Sequence, residues 1–500
     1  MFNPTPTTVL KFGASAPRSE SDLPRAVHEI YREWRQGRRV LAVVSAFGCT
    51  TDELLKRAQQ LGLPPQREGL AALLGTGETA AAALLTLALD RSGIPATLLD
   101  PTQTGLLTEG DPLDAAPVSV DVPYLQDELK RAVVVVPGFV GRDRACRPTR
   151  LGRQDLAARF LARALGASLR EAGEDDPTVL SPLRVALLGC GTVGGGVLAR
   201  LLASPDLFEV TGAAVRDLGR ARVPAVPRGL LTDDPMALVE GEADVVVELL
   251  GGREPARGLI ARALELGRHV VTANKALLAE EVDTLADLAA RRGVSLRYSA
   301  AVGGALPALE TVRRAAASGR VRGVAGVLNG TCNFILDRRA AGASFADAVS
   351  LARVAGYAEA DPTLDLDGSD AAQKLALLIR EAFGVPLPWE GIPRRGIADL
   401  DERALAEAAR RGRKVRLVAS CERADGELRA GVQPFDLPPD HPFAEIAGAE
   451  NALLVELEGG ERIRVAARGA GRWPTTEAVM ADLHDLAAEA KAELREEGAA

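Results

Sequence analysis

A short apolar run that leads into a cluster of glycines constrains the fold of this chain more than any other feature. Residues 183–188 (LRVALL) are followed by Gly189, Gly191 and Gly194 in a Gly-x-Gly-x-x-Gly spacing, and a helical pattern begins after them. In such a strand–turn–helix unit the first glycine permits the tight turn, the second lets the backbone approach a pyrophosphate, and the third lets the helix pack on the sheet. The spacing therefore predicts a dinucleotide-binding Rossmann domain, with cofactor contacts from Gly189, Gly191, Thr192, Val193 and Gly194.

The end of the next predicted strand bears on which dinucleotide is bound. The apolar run 208–215 (FEVTGAAV) is followed by Arg216 and Asp217. An acid at this position would hydrogen-bond the ribose hydroxyls of NAD, whereas an arginine suits the 2′-phosphate of NADP. Arg216 favours NADP, and the adjacent Asp217 leaves NAD open. A plain surface charge paired with Asp217 is the alternative interpretation of this arginine.

A chain of 500 residues exceeds what one hydrophobic core supports, so several domains are expected. Before residue 170, short apolar runs alternate with helical patterns, which predicts a parallel α/β sheet. The predicted strands are 8–11, 40–45, 96–99 and 133–136, and the predicted helices include 21–36 and 70–90. The acidic, proline-containing stretch 171–182 is predicted to be a linker.

After the linker, we expect a Rossmann domain over 183–315, an α+β domain over 316–465, and a C-terminal segment, 466–500, that returns to the Rossmann domain. Further strands are predicted at 243–249 and 269–273 in the first of these, and at 321–330, 414–422, 451–459 and 461–469 in the second. Helices are predicted at 344–356, at 369–383 and over the last 25 residues. The expected fold class is α/β, with an α+β domain added.

Composition argues against several classes of partner. The formal net charge is −8 and arginines are scattered among acids, which disfavours nucleic acid and anionic membranes as partners. We find no apolar stretch of about 20 residues. The five cysteines form no Cys-x-x-Cys pair, so a disulfide framework or a cysteine-rich zinc site is not expected. We expect a cytoplasmic protein that acts on a small-molecule substrate.

Two groups of residues are candidates for chemistry. Lys275 directly follows the apolar run 269–273, and the carboxyl ends of such strands face the cofactor crevice; a solvated surface lysine is the alternative. Five acids lie between residues 359 and 370, and Lys374 follows four residues later. They are Glu359, Asp361, Asp365, Asp367 and Asp370.

We consider three interpretations of this acidic segment. Asp370 and Lys374 could be a helix N-cap and an ordinary i,i+4 surface ion pair. A calcium loop fails, because its register would place Lys374 where a bidentate glutamate is needed. The third interpretation is a substrate pocket in which acids hold an ammonium group while a lysine transfers a proton.

These segments resemble homoserine dehydrogenases over residues 183–485. The similar motifs are LLGCGTVGGG, VVVELLGG, HVVTANKALLAE, YSAAVGGALP, GVLNGTCNFIL, GYAEADPTLDLDGSDAAQK and GAGRWPTTEAVMADL. The family reduces L-aspartate 4-semialdehyde to L-homoserine with NAD(P)H in the biosynthesis of threonine, methionine and isoleucine. The resemblance implies the same activity here, and a homodimer or higher homo-oligomer with the α+β sheet as its interface.

The resemblance also implies roles for individual residues. Lys275 and Lys374 correspond to catalytic lysines near the reacting carbonyl, with Lys275 also beside the cofactor, and Asp370 to the acid that helps place the reacting oxygen. Hydride delivery builds negative charge on that oxygen, which an ammonium group stabilises and protonates. The implied substrate ligands are Glu359 and Asp365, the pocket lining is Tyr357 and Thr331, and a further cofactor contact is Gly471.

One departure from the family concerns a bound cation. The family usually has a glutamate that binds sodium together with backbone carbonyls, and Ser299 stands at that position here. The carbonyls of Val302, Gly304 and Leu306 remain, but a neutral side chain makes a weaker site for a hard cation. A bound monovalent cation is therefore left open.

Residues 8–169 resemble the first part of an aspartate kinase, in the segments KFGASA (11–16), SAFGCTTDEL (45–54), GTGE (75–78), VVVPGFVGRD and TRLGRQD. Ser15-Ala16 replaces the family's Thr-Ser, and TRLGRQD lacks the double glycine that brings backbone amides to phosphate. We therefore expect residues 1–170 to be a truncated kinase-like domain without kinase activity. The alternatives for the whole chain are a bifunctional aspartate kinase/homoserine dehydrogenase and a non-catalytic NADP-binding scaffold.

Overall fold

The computed structural model describes residues 5–13, 17–61, 66–153, 155–173, 181–220, 222, 226–359 and 361–499, with side chains up to residue 492. The chain divides into two compact units, Met1–Thr178 and Val179–Ala500. Ser15 and Ala16, and most of the predicted linker, lie outside the described residues. Glu171, which was assigned to the linker, is instead the last residue of a strand.

The first unit contains nine described strands and five α-helices. The strands are β1 (Thr7–Phe12), β2 (Arg39–Val44), β3 (Ala96–Leu98), β4 (Leu107–Asp111), β5 (Asp114–Ser119), β6 (Val133–Pro137), β7 (Val140–Arg142), β8 (Pro148–Arg150) and β9 (Ser168–Glu171). The helices are α1 (Leu23–Arg35), α2 (Thr50–Gln60), α3 (Arg67–Arg91), α4 (Val122–Arg131) and α5 (Leu156–Leu165).

A parallel sheet in the order β3-β6-β2-β1-β9 forms the core of this unit. The predictions of β1, β2, β3 and β6, and of α1 and α3, are confirmed. Central strands of a parallel sheet are covered on both faces, so β2 and β6 are apolar at nearly every position. A second, mixed sheet in the order β5-β4-β7-β8 was not predicted, because its strands are short and rich in glycine, proline and polar residues.

Helix α3 is long and apolar enough to cross a membrane by length and composition alone, which the sequence analysis did not anticipate. Its apolar side packs against strands of this unit, and Ala81, Ala82, Leu85 and Leu89 are buried there. The core helix of a globular domain passes the same test of length and composition, so this helix is weak grounds for a membrane span.

The second unit begins with a six-stranded parallel sheet. Its strands are β10 (Leu183–Leu188), β11 (Phe208–Ala214), β12 (Leu231–Thr232), β13 (Val245–Glu248), β14 (His269–Thr272) and β15 (Leu296–Arg297), and its helices are α6 (Thr192–Leu202), α7 (Pro235–Glu240), α8 (Ala256–Glu265) and α9 (Lys275–Arg292). The order β12-β11-β10-β13-β14-β15 reverses direction between β10 and β13, and a ligand crevice is expected at such a point. The Rossmann fold predicted from the glycine spacing is confirmed.

The remainder of the second unit surrounds an antiparallel sheet in the order β18-β17-β16-β19-β20. The strands are β16 (Val321–Val327), β17 (Lys414–Ala424), β18 (Glu427–Leu437), β19 (Glu450–Leu457) and β20 (Arg462–Arg468). The helices are α10 (Ala308–Ser318), α11 (Gly330–Ala340), α12 (Phe345–Val354), α13 (Thr363–Leu366), α14 (Ser369–Phe383), α15 (Glu402–Arg410) and α16 (Arg472–Ala499). Strand β18 was not predicted. It contains Pro434 and lies at the sheet edge, where a missing backbone donor is tolerated.

The domain boundaries proposed from the sequence stay predictions. The positions of α16 and α10 are relevant to two of them. Helix α16 packs against α6, and a Cβ placed at Gly196 would lie 2.4 Å from the Thr476 hydroxyl oxygen, so the two helices are in close contact. Helix α10 spans the boundary proposed at 315/316 and packs against α14. That boundary would therefore cut a helix.

Glu78 on α3 makes the stability of the first unit depend on pH. Its side chain is buried, and burial raises its pKa to about 7, although the backbone of Ala46 and the charge of Arg150 favour the ionised form. In the unfolded chain the carboxyl ionises at its ordinary, lower pKa, so rising pH favours unfolding. We expect this group to lower the free energy of unfolding by about 3 kcal/mol between pH 4.5 and pH 8.

Calorimetry of the full chain at pH 5 and pH 8 checks this expectation. Glu78→Gln should raise the melting temperature of the first unit at pH 8 and change it little at pH 5. Glu68→Gln, on the same helix but partly exposed, is the control and should have no such pH-dependent effect. An equal shift at both pH values for Glu78→Gln would contradict the assignment.

Candidate functional site

The glycine-rich turn between β10 and α6 lines a cavity of about 480 Å³ at the carboxyl ends of β10, β11 and β13. Gly189 has a φ of +100°, and a Cβ there would lie 2.7 Å from the carbonyl oxygen of Leu249. A Cβ at Gly194 would lie 1.9 Å from the carbonyl oxygen of Gly189. Gly191 precedes the first turn of α6, and a Cβ there would meet nothing within 4 Å, so its backbone is open to a ligand. These residues fit a pyrophosphate at the helix N-terminus.

The cavity includes some of the predicted cofactor residues and not others. Gly189, Gly191, Thr192 and Arg216 line it. The lining does not include Val193, Gly194, Lys275 or Gly471. Gly471, at a φ of +118°, instead precedes Arg472 at the start of α16, and it is Arg472 that reaches the cavity.

Four arginines line this cavity, of which the sequence analysis identified only the first: Arg216, Arg220, Arg222 and Arg472. Asp217 also lines it, but its Oδ1 accepts hydrogen bonds from the backbone N–H groups of Gly219 (2.8 Å) and Arg220 (3.2 Å). Asp217 therefore closes a turn, and no ion pair between Arg216 and Asp217 is found in the described part of the chain. Arg216 is an exposed charge at the strand end, as the alternative expected, but the pairing with Asp217 that it assumed is not found among the described residues.

A second group of residues surrounds the carboxylate of Asp370. Lys275 is the first residue of α9, and its Nζ lies 2.8 Å from Asp370 Oδ1. Lys374 lies one helical turn after Asp370 on α14, and its Nζ is 2.8 Å from Asp370 Oδ2. Lys374 also donates a hydrogen bond to the carbonyl of Leu328 at 2.8 Å. One carboxylate is thus shared by ammonium groups from two different helices.

The structure contradicts the alternative of an N-cap and a surface ion pair. Asp370 and Lys374 are both buried, with exposures of 3% and 8%. The N-cap residue of α14 is Gly368, and the carboxylate that accepts from the backbone at this helix start is that of Asp367, from the N–H of Ser369 at 2.8 Å. Asp370 is therefore free to bind both lysines.

Charge pairing sets the protonation of this group. Burial opposes ionisation of Asp370, but the ammonium groups of Lys374 and Lys275 outweigh it and hold its pKa well below the usual range. The charge of Asp370 in turn raises the pKa of Lys275. The side chain of Lys275 is 41% exposed, so its ammonium is paired yet accessible. Asp370 and Lys275 are both charged at neutral pH.

Asn329 joins the two aspartates of the site and was not identified from the sequence. Its Nδ2 donates to Asp365 Oδ1 (2.7 Å) and to Asp370 Oδ2 (2.8 Å), and its Oδ1 accepts from the N–H of Cys332 (2.8 Å), capping α11. Burial and the charge of Asp370 raise the pKa of Asp365, against the hydrogen bond from Asn329. The only local signal was an asparagine at a helix start, which predicts a cap and no more.

The other predicted substrate residues lie around this group with fewer contacts. The hydroxyl of Thr331 donates to the carbonyl of Tyr357 at 2.6 Å, and the Tyr357 ring lies 5.1 Å from that of Phe334. Glu359 is exposed, and no hydrogen bond from its side chain is found in the described part of the chain. Its charge nevertheless contributes to the raised pKa of Lys275.

The segment considered for a cation contains Val302, Gly304 and Leu306, all buried. The carbonyl of Leu306 accepts the N–H of Ala308 at 2.7 Å. The N–H of Ser299 donates to the carboxylate of Asp482 at 3.1 Å. Within the described residues, no group of three or more His, Cys, Asp or Glu side chains is placed to hold a metal ion.

Three family profiles match the chain. The amino acid kinase family matches residues 6–181, the homoserine dehydrogenase NAD binding domain matches residues 189–299, and homoserine dehydrogenase matches residues 307–484. The first match extends beyond residue 170, where the sequence analysis placed the end of the kinase-like domain.

Individual proteins are similar over much of their length. The homoserine dehydrogenase of Corynebacterium glutamicum is 40% identical over 320 residues, which is 61% of this chain and 71% of that protein. The homoserine dehydrogenase of Mycobacterium bovis is 42% identical over 316 residues, 60% of this chain and 71% of that protein. The crystal structure of a homoserine dehydrogenase from Thiobacillus denitrificans superposes with a TM-score of 0.59 at 39% identity, covering 62% of this chain and 74% of that one.

The pairing of Asp370 predicts a pH-dependent stability of the second unit. Because its pKa is depressed in the folded protein, its contribution is present above the unfolded pKa of roughly 4 and is lost as the pH falls below it. Asp370→Asn should therefore lower the free energy of unfolding by about 3 kcal/mol at pH 7 and by less at pH 3, where part of the contribution is already lost.

Urea unfolding of the full chain at these two pH values measures the difference. Asp283→Asn is the control, since Asp283 lies on α9 and pairs with Arg380, but its side chain is half exposed. It should change stability by less than about 1 kcal/mol. An equal loss at both pH values for Asp370→Asn would show that its charge does not stabilise the site.

Proposed function

The chain belongs to the homoserine dehydrogenase family, and we propose that it reduces L-aspartate 4-semialdehyde to L-homoserine with NADPH. The observation that carries this proposal is the convergence of Lys275 and Lys374 on the single buried carboxylate of Asp370. Two ammonium groups held beside one another are suited to an aldehyde oxygen that gains negative charge during reduction.

The residues of the glycine-lined cavity fit a nicotinamide dinucleotide. Gly191 and the first turn of α6 would hold the pyrophosphate, because their backbone is open to the cavity. When bound, the reduced nicotinamide supplies the hydride. The adjoining loop residues Leu249 and Leu250 provide an apolar wall.

We assign the proton chemistry to the two lysines. Lys275 is charged and accessible, so it would stabilise and protonate the developing alkoxide, and Lys374 would hold the same oxygen from the buried side. Asp370 holds both ammonium groups in place, and its charge favours the charged form of Lys275. The substrate's amino group would be bound by Asp365 and Glu359, while Thr331 and Tyr357 line the pocket.

We propose NADP as the preferred cofactor. Arg216, Arg220 and Arg222 follow β11 and line the cavity, and guanidinium groups pair well with a phosphate. Asp217 Oδ1 is engaged by backbone N–H groups of its own turn, and three guanidinium groups outnumber this single carboxylate beside the cavity.

We assign no monovalent cation to the segment 302–306. Ser299 offers no charge there, and a neutral side chain makes a weaker site for a hard cation. No step of the proposed reaction depends on such an ion.

We also propose that the chain is a cytoplasmic homodimer and that its kinase-like unit is catalytically inactive. The chemical grounds for inactivity are the missing double glycine after Arg153 and the replacement at residues 15 and 16. Sedimentation of the full chain tests the dimer. ATP-dependent phosphorylation of aspartate by the purified protein would establish the bifunctional alternative instead.

Homoserine-dependent reduction of NADP, measured by absorbance with NAD in parallel, tests the proposed reaction directly. Turnover with a preference for NADP supports both proposals. A folded protein that binds NADP but shows no turnover with either cofactor would favour the non-catalytic scaffold.

Replacing either lysine should remove most of the activity. We expect Lys275→Ala and Lys374→Ala each to lower kcat at least about 100-fold, because Lys275 is the proposed proton donor and Lys374 holds the oxygen that receives the proton. Lys414→Ala is a matched control, since the Lys414 ammonium also donates to a backbone carbonyl, that of Ile446 at 3.3 Å, but lies on β17 outside the site. Losses below about tenfold for the first two variants would exclude their role in proton transfer.

Replacing Arg216 should change cofactor preference. Arg216→Ala should lower kcat/KM for NADP by about tenfold or more and that for NAD by much less, because only NADP carries the 2′-phosphate. Arg228→Ala, an exposed arginine nearby that does not line the cavity, controls for loss of surface charge. Equal losses with the two cofactors would show that Arg216 does not bind the phosphate.

A further inference from the structure

Glu248, the last residue of β13, carries a fully buried carboxylate to which the catalytic scheme assigns no role. It is paired in register with Thr272, the last residue of β14. No salt bridge to Glu248 is found in the described part of the chain, so neutral donors alone compensate its charge. A buried charge is unfavourable unless its hydrogen bonds are complete, so this carboxylate calls for an explanation.

One side of the carboxylate holds the wall of the cofactor cavity. Glu248 Oε1 accepts hydrogen bonds from the backbone N–H groups of Leu250 (2.8 Å) and Gly251 (3.2 Å). The loop turns through Gly251 and Gly252, whose φ angles of +74° and +73° favour glycine. Leu250 lines the cavity, as does its neighbour Leu249. Glu248 thus fixes the loop on which the cofactor would lie.

The other side of the carboxylate leads to the start of α9. Glu248 Oε2 accepts from the Thr272 hydroxyl at 2.6 Å, and that hydroxyl oxygen accepts the N–H of Asn274 at 3.1 Å. Asn274 Nδ2 donates to the carbonyl of Gly252 at 2.6 Å, and its Oδ1 caps α9 through the N–H of Leu277 at 3.2 Å. The next residue is Lys275, which binds Asp370. The loop and the lysine are therefore tied to one carboxylate.

We propose that Glu248 is a positioning residue that couples the cofactor-binding loop to Lys275, so that the hydride donor and the proton donor are aligned together. This inference rests on the proposed dehydrogenase function. The network requires two acceptor oxygens, because the backbone N–H groups bind one oxygen and the Thr272 hydroxyl binds the other. A glutamine of the same shape would present a donor to one of these two sides.

Glu248→Gln in the full chain tests the proposal. We expect kcat per folded site to fall about 10- to 100-fold, because misplacement of a catalytic group by as little as ~1 Å has effects of this size. We also expect the Kd for NADPH, followed by its fluorescence, to rise at least about fivefold, because the loop is released. Thr272→Val removes one arm only and should lower kcat with a smaller change in Kd, and Thr272→Ser should restore most of that loss.

Asp337→Asn is the matched control for loss of a hydrogen-bonded carboxylate. Asp337 accepts from the Gly448 N–H at 2.7 Å and from Arg416 at 2.6 Å, on a part of α11 that follows the site. It should lower the melting temperature without changing kcat per folded site.

The outcomes separate this inference from the proposed function. A wild-type protein without homoserine-dependent turnover would overturn the function, while the Kd for NADPH would still test the loop. If Glu248→Gln lowers only the melting temperature, with kcat and Kd within twofold of wild type, Glu248 is structural and the inference is wrong. If Glu248→Gln does not fold, unchanged kcat in Thr272→Val would overturn the inference.

Discussion

Two ammonium groups compensate the buried carboxylate of Asp370, and the Asn329 amide adds a hydrogen bond to one of its oxygens. An uncompensated charge at that depth would cost several kcal/mol, and neither lysine alone accounts for both of its oxygens. Lys275 begins α9, directly after strand β14 of the parallel sheet, and Lys374 lies on a helix that packs on the antiparallel sheet. The ion group therefore requires α9 and α14 to be in contact, which holds the two halves of the second unit together at the point where the reaction is proposed.

The charge of a second buried carboxylate, that of Glu248, is compensated in a different way. No ammonium approaches it among the described side chains, and backbone N–H and hydroxyl donors compensate its charge. Because these donors belong to two loops at the ends of adjacent strands, satisfying the charge also fixes the loops relative to each other. Asp370 thus positions the two lysines, and Glu248 positions the loops that precede Lys275.

The first unit also contains a buried carboxylate, that of Glu78. Glu78 is buried beneath the ends of parallel strands, and its raised pKa means that burial outweighs the groups that favour its ionised form. The fold of the first unit is that of the amino acid kinase family. Perturbed pKa values of this kind cluster at binding and catalytic sites, and structural networks also produce them. We assign no ligand to the first unit.

Features that depend on neighbours along the chain could be predicted from the residues alone. The glycine spacing around Gly191 predicted the strand, turn and helix correctly, since each glycine answers a local backbone requirement. The strands with continuous apolar runs were found for the same reason, while β18 was missed because Pro434 is acceptable only at a sheet edge, and edge position is not written locally. The i,i+4 spacing of Asp370 and Lys374 was visible, but it did not distinguish a surface pair from a buried one.

Which charged and polar side chains contact one another depends on how the elements pack in three dimensions. The distances from Asp370 to Lys275, from Asn329 to two aspartates, and from Glu248 to Thr272 join residues far apart in the chain, and no local pattern specifies them. Arg472 lines the cofactor cavity for the same reason. Helix α16 packs against α6, although the antiparallel sheet lies between the two helices in the sequence. Burial makes these contacts effective, because a hydrogen bond or ion pair is electrostatically stronger where water is excluded.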